Sequence, residues 1–253
     1  MIIKQIISES SIDYRKKFGP VIFVSGCNFR CGFCHNPELV KTNEPGKNED
    51  IEEKFKEIKR KVNSGWYNGV CVTGGEPTLQ KDLPILLKKL KQMGLSVKVD
   101  TNGSNPQMLK KIVEENLVDY VAMDIKTSPS LYEEVTGVSI DLKKLEESIE
   151  LLSKLDSEKY EFRTTVVPVI DGKKARWMFN EEIEEMAKWV FDICENKKSL
   201  WIIQGFVSRE GGEILSSKFN KENLPFEMHQ TPKEVLERFQ KVIKTYFPRC
   251  EIR

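Results

Sequence analysis

Three cysteines, Cys27, Cys31 and Cys34, fall within eight residues of the stretch "GCNFRCGFCHN" (Gly26 to Asn36), and His35 follows at once. Thiols this close can hold a structural metal, exchange as a dithiol, or carry an iron–sulfur cluster. Structural zinc wants four tetrahedral ligands. His35 is a poor fourth, because neighbouring side chains point apart, and the other histidine, His229, lies far along the chain. No second Cys-x-x-Cys pair exists. A dithiol of Cys31 and Cys34 leaves Cys27 idle. An iron–sulfur cluster usually takes four thiolates. Three leave one iron open, and an open coordination position marks a catalytic site rather than a storage one.

These thiols follow a strand-like run, and so do the other chemically suggestive residues. The runs are Pro20–Ser25, Gly69–Gly74, Ser96–Thr101, Tyr120–Lys126, Tyr160–Pro168 and Leu200–Phe206, rich in Val, Ile and aromatics. Between them, apolar residues recur at helical spacing, as in Ile51, Phe55, Ile58 and Val62, or Leu142, Leu145, Ile149 and Leu152. A last helix runs through Val235, Phe239, Val242 and Ile243, with Thr231 and Pro232 as N-cap and first-turn residue. Six strand–helix units in order imply an α/β fold, with a parallel sheet buried on both faces. Six units fit an incomplete barrel or a doubly wound sheet. In such folds chemistry sits at the carboxyl ends of strands. Those ends carry Ser25-Gly26-Cys27, Thr73-Gly74-Gly75-Glu76-Pro77, Asp100-Thr101-Asn102-Gly103, Asp124-Ile125-Lys126 and Gln204-Gly205-Phe206.

The chain has 253 residues, with 40 basic and 39 acidic, so its balance of +1 gives no reason to expect nucleic acid or a membrane surface as partner. No apolar run is long enough to span a bilayer, and the amino terminus lacks the apolar core and cleavage site of a signal peptide. A cytoplasmic location is expected. Cys71, Cys194 and Cys250 lie in apolar or amphipathic surroundings and read as ordinary buried thiols.

Cys-x-x-x-Cys-x-x-Cys after the first strand, an aromatic before the last cysteine, and "TGGEP" after the second strand together resemble the radical S-adenosylmethionine (SAM) superfamily. "CNFRCGFCHNPEL", "TGGEPTLQ", "DTNG", "MDIK" and "FRTTVVP" extend the resemblance to the glycyl-radical-enzyme activating enzymes. It is strongest to those of anaerobic (class III) ribonucleotide reductase, then of pyruvate formate-lyase. It implies a partial (β/α)6 barrel of the TIM-like, radical SAM type. The whole chain, 1–253, would be a single domain, with a core at 18–206 and a carboxyl-terminal loop, helix and short strand over 207–253. It implies one [4Fe–4S] cluster on Cys27, Cys31 and Cys34, with SAM chelating the open iron. One electron then splits SAM into methionine and a 5′-deoxyadenosyl radical, which takes hydrogen from the Cα of a glycine in a partner enzyme. Anaerobic ribonucleoside-triphosphate reductase is the expected partner, and a flavodoxin or ferredoxin-type protein the electron donor. The extra ferredoxin-like cysteines of many such activases are missing from this sequence.

The resemblance carries roles onto individual residues. Cys27, Cys31, Cys34 and Lys126 form the expected catalytic set. Gly74 and Gly75, after Thr73, would let backbone approach SAM closely. Glu76 would accept from its ammonium group. Phe33 and the backbone of His35 and Asn36 would line the adenine. Asp100, Thr101 and Asn102 would face the ribose or carboxylate, or a monovalent cation beside Asp100. Asp124 and Lys126, two apart on one strand, share a face, and Lys126 would meet the SAM carboxylate. Arg163 and Gln204 complete the cofactor set, Gln204 standing where some activases have a histidine. Residues 127–138 and 209–230 are expected at a partner-facing rim, the latter as a loop or lid. One rival is a radical SAM enzyme on a small molecule, such as 7-carboxy-7-deazaguanine synthase, but those continue Cys-Asp-Thr where this chain has Cys34-His35-Asn36. The other is a non-enzymatic zinc-binding module.

Overall fold

A computed structural model describes residues 2–40, 51–172, 174–194, 197–210 and 214–253. Two compact units emerge, Met1–Asn28 with Glu38–Ala122, and Phe29–Pro37 with Met123–Arg253. Each is an α/β arrangement of strands and covering helices. Among the described residues, no helix is long and apolar enough to cross a membrane.

The first unit holds β1 (Ile3–Ser10), β2 (Gly19–Val24), α1 (Pro37–Val40, starting at the boundary), α2 (Ile51–Asn63), β3 (Gly69–Gly74), α3 (Leu83–Gln92), β4 (Ser96–Thr101) and α4 (Pro106–Glu114). Its strands run in the order β1-β2-β3-β4. β2, β3 and β4 are parallel, as the alternating pattern requires, while β1 pairs antiparallel with β2. Val21, Ile22, Val24, Val70, Val72, Val97 and Val99 are fully buried, the two-faced burial expected of central parallel strands. α4 starts where Pro106 follows Asn105, whose side chain accepts from the Met108 amide. The sequence reading left β1 unassigned. It is an edge strand of sequence IKQIISES in which only Ile6 is buried, so no apolar run marks it.

β5 (Tyr120–Asp124) leads into the second unit, with α5 (Tyr132–Thr136), α6 (Leu142–Ser153), β6 (Tyr160–Val166), β7 (Val169–Asp171), β8 (Lys174–Arg176), α7 (Asn180–Ile193), β9 (Leu200–Gly205), α8 (Lys233–Lys244) and β10 (Cys250–Ile252). β6, β9 and β10 are parallel neighbours, and β7 with β8 forms a separate antiparallel hairpin that the sequence reading did not anticipate. Its strands are three residues long, too short to show alternation. Residues 127–138, read as a loop, instead contain a 3-10 turn (Pro129–Leu131) and α5, closed by Gly137 at φ 70°. Residues 209–230 carry two further 3-10 turns, Ser217–Phe219 and Phe226–Met228, while 211–213 lie outside the described residues. Cys71, Cys194 and Cys250 are buried thiols, as expected.

Thr231 does not cap α8. Pro232 occupies the cap position. The Thr231 hydroxyl instead accepts from the Phe206 amide at 2.7 Å and donates to the Val166 carbonyl at 2.8 Å, tying the ends of β9 and β6 together. Thr231→Val keeps the shape and removes both bonds at a buried site, so a loss of about 1–3 kcal/mol is expected in chemical denaturation. An unchanged unfolding midpoint would contradict that role.

Candidate functional site: two strand-end clusters and a cysteine loop

In the first unit the ends of β2 and β3 interlock through backbone. The Gly75 amide donates to the Val24 carbonyl at 2.8 Å and the Glu76 amide to the Gly26 carbonyl at 2.7 Å. Gly74 has φ +126°, and a Cβ there would lie 2.3 Å from the Val24 carbonyl oxygen. At Gly75 a Cβ would lie 2.1 Å from the Gly26 oxygen. Both positions need glycine because another strand's backbone fills the space.

The Glu76 carboxylate is 1% exposed. Oε1 accepts from the Thr78 amide (3.0 Å), the Thr78 hydroxyl (2.5 Å) and the Thr101 hydroxyl (2.7 Å), and Oε2 accepts from the Asn102 amide (2.6 Å). A carboxylate offers about four lone-pair sites. Three protein donors converge on Oε1 and one reaches Oε2, so the side chain ties Thr78, Thr101 and Asn102 into one rim. Burial raises its ionisation above the usual range, against the pull of the four donors. Thr101 is thereby spent on Glu76 as well. Asn102 donates to Asn28 at 3.0 Å and accepts from the Ser104 amide and hydroxyl at 3.0 and 2.6 Å, which fastens the residue after Cys27 to the end of β4.

The cation beside Asp100 is also supplied by the chain. Lys98, only 3% exposed, sets its ammonium 2.8 Å from Asp100 and donates to the Asp13 carbonyl at 2.6 Å. A monovalent ion has no need to fill that place. Thr73 is half-buried on β3.

The second unit carries Cys31 and Cys34. The Cys34 amide donates to the Cys31 carbonyl at 3.0 Å, which closes the turn between them. Cys31 is buried and Cys34 half-buried. Phe33 is 8% exposed and meets Phe219 edge-on at 6.0 Å. His35 shares a short Nε2 contact of 2.8 Å with the Val207 carbonyl and stacks on Phe206 at 5.7 Å. Since a carbonyl only accepts, His35 Nε2 carries the proton. The Asn36 side chain is half-buried.

Asp124 and Lys126 come together as their two-residue spacing suggested, although β5 ends at Asp124 and Lys126 lies just past it, and Arg163 joins them. Lys126 Nζ donates to Asp124 Oδ2 and Arg163 Nε to Oδ1, both at 2.7 Å. Burial disfavours these charges, yet Arg163 and Lys126 hold the Asp124 carboxyl well below the usual range, and Asp124 holds Lys126 above its own. The group carries a net positive charge. Lys126 also sits 5.9 Å from the Phe33 ring centre. The buried Tyr132 hydroxyl accepts from the Lys126 amide at 3.2 Å and so fixes the lysine backbone. Gln204 is half-buried, opposite Thr165 in register. Thr78, Lys98, Tyr132 and Phe219 are the residues that sequence reasoning missed. Only Lys98 left a signal, a charge inside the apolar run "SVKVDT".

Does this chemistry suit an iron–sulfur cluster? Cys27, Cys31 and Cys34 are all outside any disulfide. Among the described residues, no three His, Cys, Asp or Glu side chains gather closely enough to hold a metal ion. The fit therefore rests on the donor set and its surroundings. Burial pushes the Cys31 thiol up to about 11, and the nearby Lys126 pulls it back. A cationic group beside a buried thiol favours an anionic, thiolate-held cofactor. The residues fit.

Comparison with solved structures gives the class first. Streptococcus suis SuiB, solved with S-adenosylmethionine, matches with a TM-score of 0.59 at 17% identity, over 92% of this chain and 49% of SuiB. The fold is thus the radical SAM partial barrel expected from the sequence. The Radical SAM superfamily model matches residues 21–190. A Methanocaldococcus jannaschii protein named as a glycyl-radical enzyme activating enzyme is 33% identical over 256 residues, covering 100% of this chain and 95% of that protein. The Streptococcus mutans pyruvate formate-lyase-activating enzyme is 37% identical over 128 residues, 47% of this chain and 49% of its own length. The chain belongs to the radical SAM superfamily, and within it groups with the glycyl-radical enzyme activating enzymes.

The Asp124 carboxyl ionises at lower pH when folded than when unfolded. Its contribution to stability is full above about pH 4 and fades as pH falls below that. Asp124→Asn leaves Lys126 and Arg163 facing one another without an anion, an expected loss of about 2–4 kcal/mol near neutral pH. It also removes this acid-sensitive component. The variant's melting temperature is expected to fall less steeply than the wild type's between about pH 4 and pH 2. Parallel curves for the two proteins would contradict the assignment.

Proposed function

We propose that this protein activates a glycyl radical enzyme, with anaerobic ribonucleoside-triphosphate reductase as the partner. The observation that carries the reading is the full-length relation to the archaeal activating enzyme, which spans the carboxyl-terminal region as well as the cysteine motif. The chain acts as one functional domain in the cytoplasm, without nucleic acid or membrane, and takes its electron from a flavodoxin or ferredoxin-type donor.

Cys27, Cys31 and Cys34 would hold one [4Fe–4S] cluster. When bound, the cluster supplies the electron that splits S-adenosylmethionine to methionine and a 5′-deoxyadenosyl radical. The chain's own residues bind, orient and exclude water. Lys126, half-buried and already paired with Asp124, offers its remaining N–H donors to the SAM carboxylate. Arg163 keeps the Asp124 charge balanced while Lys126 is shared. Phe33 presents an apolar wall to the adenine. Gly74 and Gly75 let the end of β3 close against that of β2, which fixes the backbone SAM would meet.

The test is run anaerobically on reconstituted, dithionite-reduced protein given SAM, with 5′-deoxyadenosine as product. Formation that disappears in Cys31→Ala, and that rises with a peptide copying a glycyl-radical loop, is the expected result. Lys126→Met is expected to raise KM for SAM about tenfold or more, the size of one charge-assisted contact. A loaded cluster that yields no deoxyadenosine would overturn the reading. Deoxyadenosine formed only with a small-molecule substrate would replace the activase with the rival enzyme class.

A further inference from the structure

The residues linking Cys31 to Cys34 are Gly32 and Phe33, and one aromatic ring touches both. A Cβ on Gly32 would lie 2.7 Å from Phe219 Cε2 and 3.0 Å from Cδ2. Gly32 is not among the positive-φ glycines, so the ring and not the backbone conformation demands a glycine there. Phe219 is 9% exposed and also packs edge-on against Phe33 at 6.0 Å and Phe206 at 5.9 Å. The segment that carries it is bonded to the same turn by main chain. The Leu215 amide donates to the Cys34 carbonyl at 3.1 Å and the Ser216 amide to the Gly32 carbonyl at 2.9 Å. The segment is itself braced. Ser216 caps the Ser217–Phe219 turn, and the Asn223 side chain donates to the Ser217 carbonyl at 2.8 Å.

The other flank of the turn is gripped separately. The Arg30 amide donates to the Thr136 carbonyl at 2.8 Å, and a Cβ on Gly137 would lie 2.7 Å from the Arg30 oxygen. Thr136 and Gly137 on one side and Leu215, Ser216 and Phe219 on the other, all within segments expected at a partner-facing rim, thus supply the two grips on the cysteine turn.

We propose that Phe219 is a positioning residue for the cluster site: its ring, with the Leu215 and Ser216 amides, sets the spacing of the Cys31 and Cys34 thiols. The proposal rests on the iron–sulfur reading above. A cluster has fixed geometry, so groups that orient its ligands govern both its assembly and its retention. The contact is shaped for this task, since the ring presses on the two residues between the thiols.

The full-length Phe219→Ala protein tests it with readouts that do not depend on turnover. In the metal-free form, iodoacetamide should alkylate Cys31 faster than in wild type, followed by peptide mass spectrometry. After anaerobic loading, iron release to a chelator should speed up about tenfold. The electron paramagnetic resonance spectrum of the reduced cluster should broaden, and its response to SAM should change. Gly32→Ala should reproduce these effects. The double variant Gly32→Ala/Phe219→Ala should be little worse than Phe219→Ala alone, because the added methyl then meets only the Ser216 Cβ, at 3.1 Å. Circular dichroism reports folding. If Phe219→Ala does not fold, Phe219→Leu and Gly32→Ala probe the same contact. Wild-type alkylation, chelation and spectrum in the folded variants would overturn the proposal. If the wild type itself takes up no iron and sulfide, the cluster reading fails instead, and the alkylation result on metal-free protein still judges the grip on the turn.

Discussion

A carboxylate shut away from water must find donors or surrender its charge. Glu76 finds four, and they come from three places in the chain: the Thr78 turn, the Thr101 hydroxyl and the Asn102 amide. This single group therefore ties the end of β3 to the end of β4. The two glycines before it press β3 against β2, through contacts that leave no room for a Cβ. Everything else on this rim hangs from that junction. Asn102 reaches Asn28 only because its own amide is fixed on Glu76. The glutamate of the Gly-Gly-Glu motif is thus architectural in its side chain.

The second unit solves a different problem. A buried cationic group must be stable without a ligand and still have something to offer one. Asp124 between Lys126 and Arg163 meets the first need, since each cation has a bonded anion. The surplus of one positive charge meets the second. A pairing of one lysine with one aspartate would be closed; two cations on one carboxylate remain receptive to an anion. Tyr132, whose hydroxyl holds the Lys126 amide, keeps that lysine from relaxing away.

Much of this was legible in the sequence, and the boundary of what was legible is physical. The six strands β2, β3, β4, β5, β6 and β9 were readable because they are buried along most of their length and read as apolar runs. β1 was not, because an edge strand is half-wet. Asp124 and Lys126 were paired from spacing alone, since two residues apart on a strand is one face. Thr231 was misread because a Thr-Pro pair suits a helix start, while the bonds it makes reach back to residues 25 and 65 positions away, which local pattern cannot show. The structural bonds of Glu76 were illegible for the same reason. Its donors at Thr101 and Asn102 lie 25 and 26 positions on. Residues 209–230 were read as a polar loop because Phe219 stands alone among polar neighbours. Its partners, Gly32 and Phe33, lie far upstream.

The long reach of the Glu76 bonds has a consequence for hydrogen exchange. The amides of Thr78 and Asn102 sit just past strand ends, in positions where backbone usually opens by local fraying. Both are instead bonded to a carboxylate that is itself sealed between strands. The Thr78 bond closes only its own turn, but the Asn102 amide cannot be released without parting the end of β4 from that of β3, so its exchange belongs to the slow class of the sheet and not to that of loops.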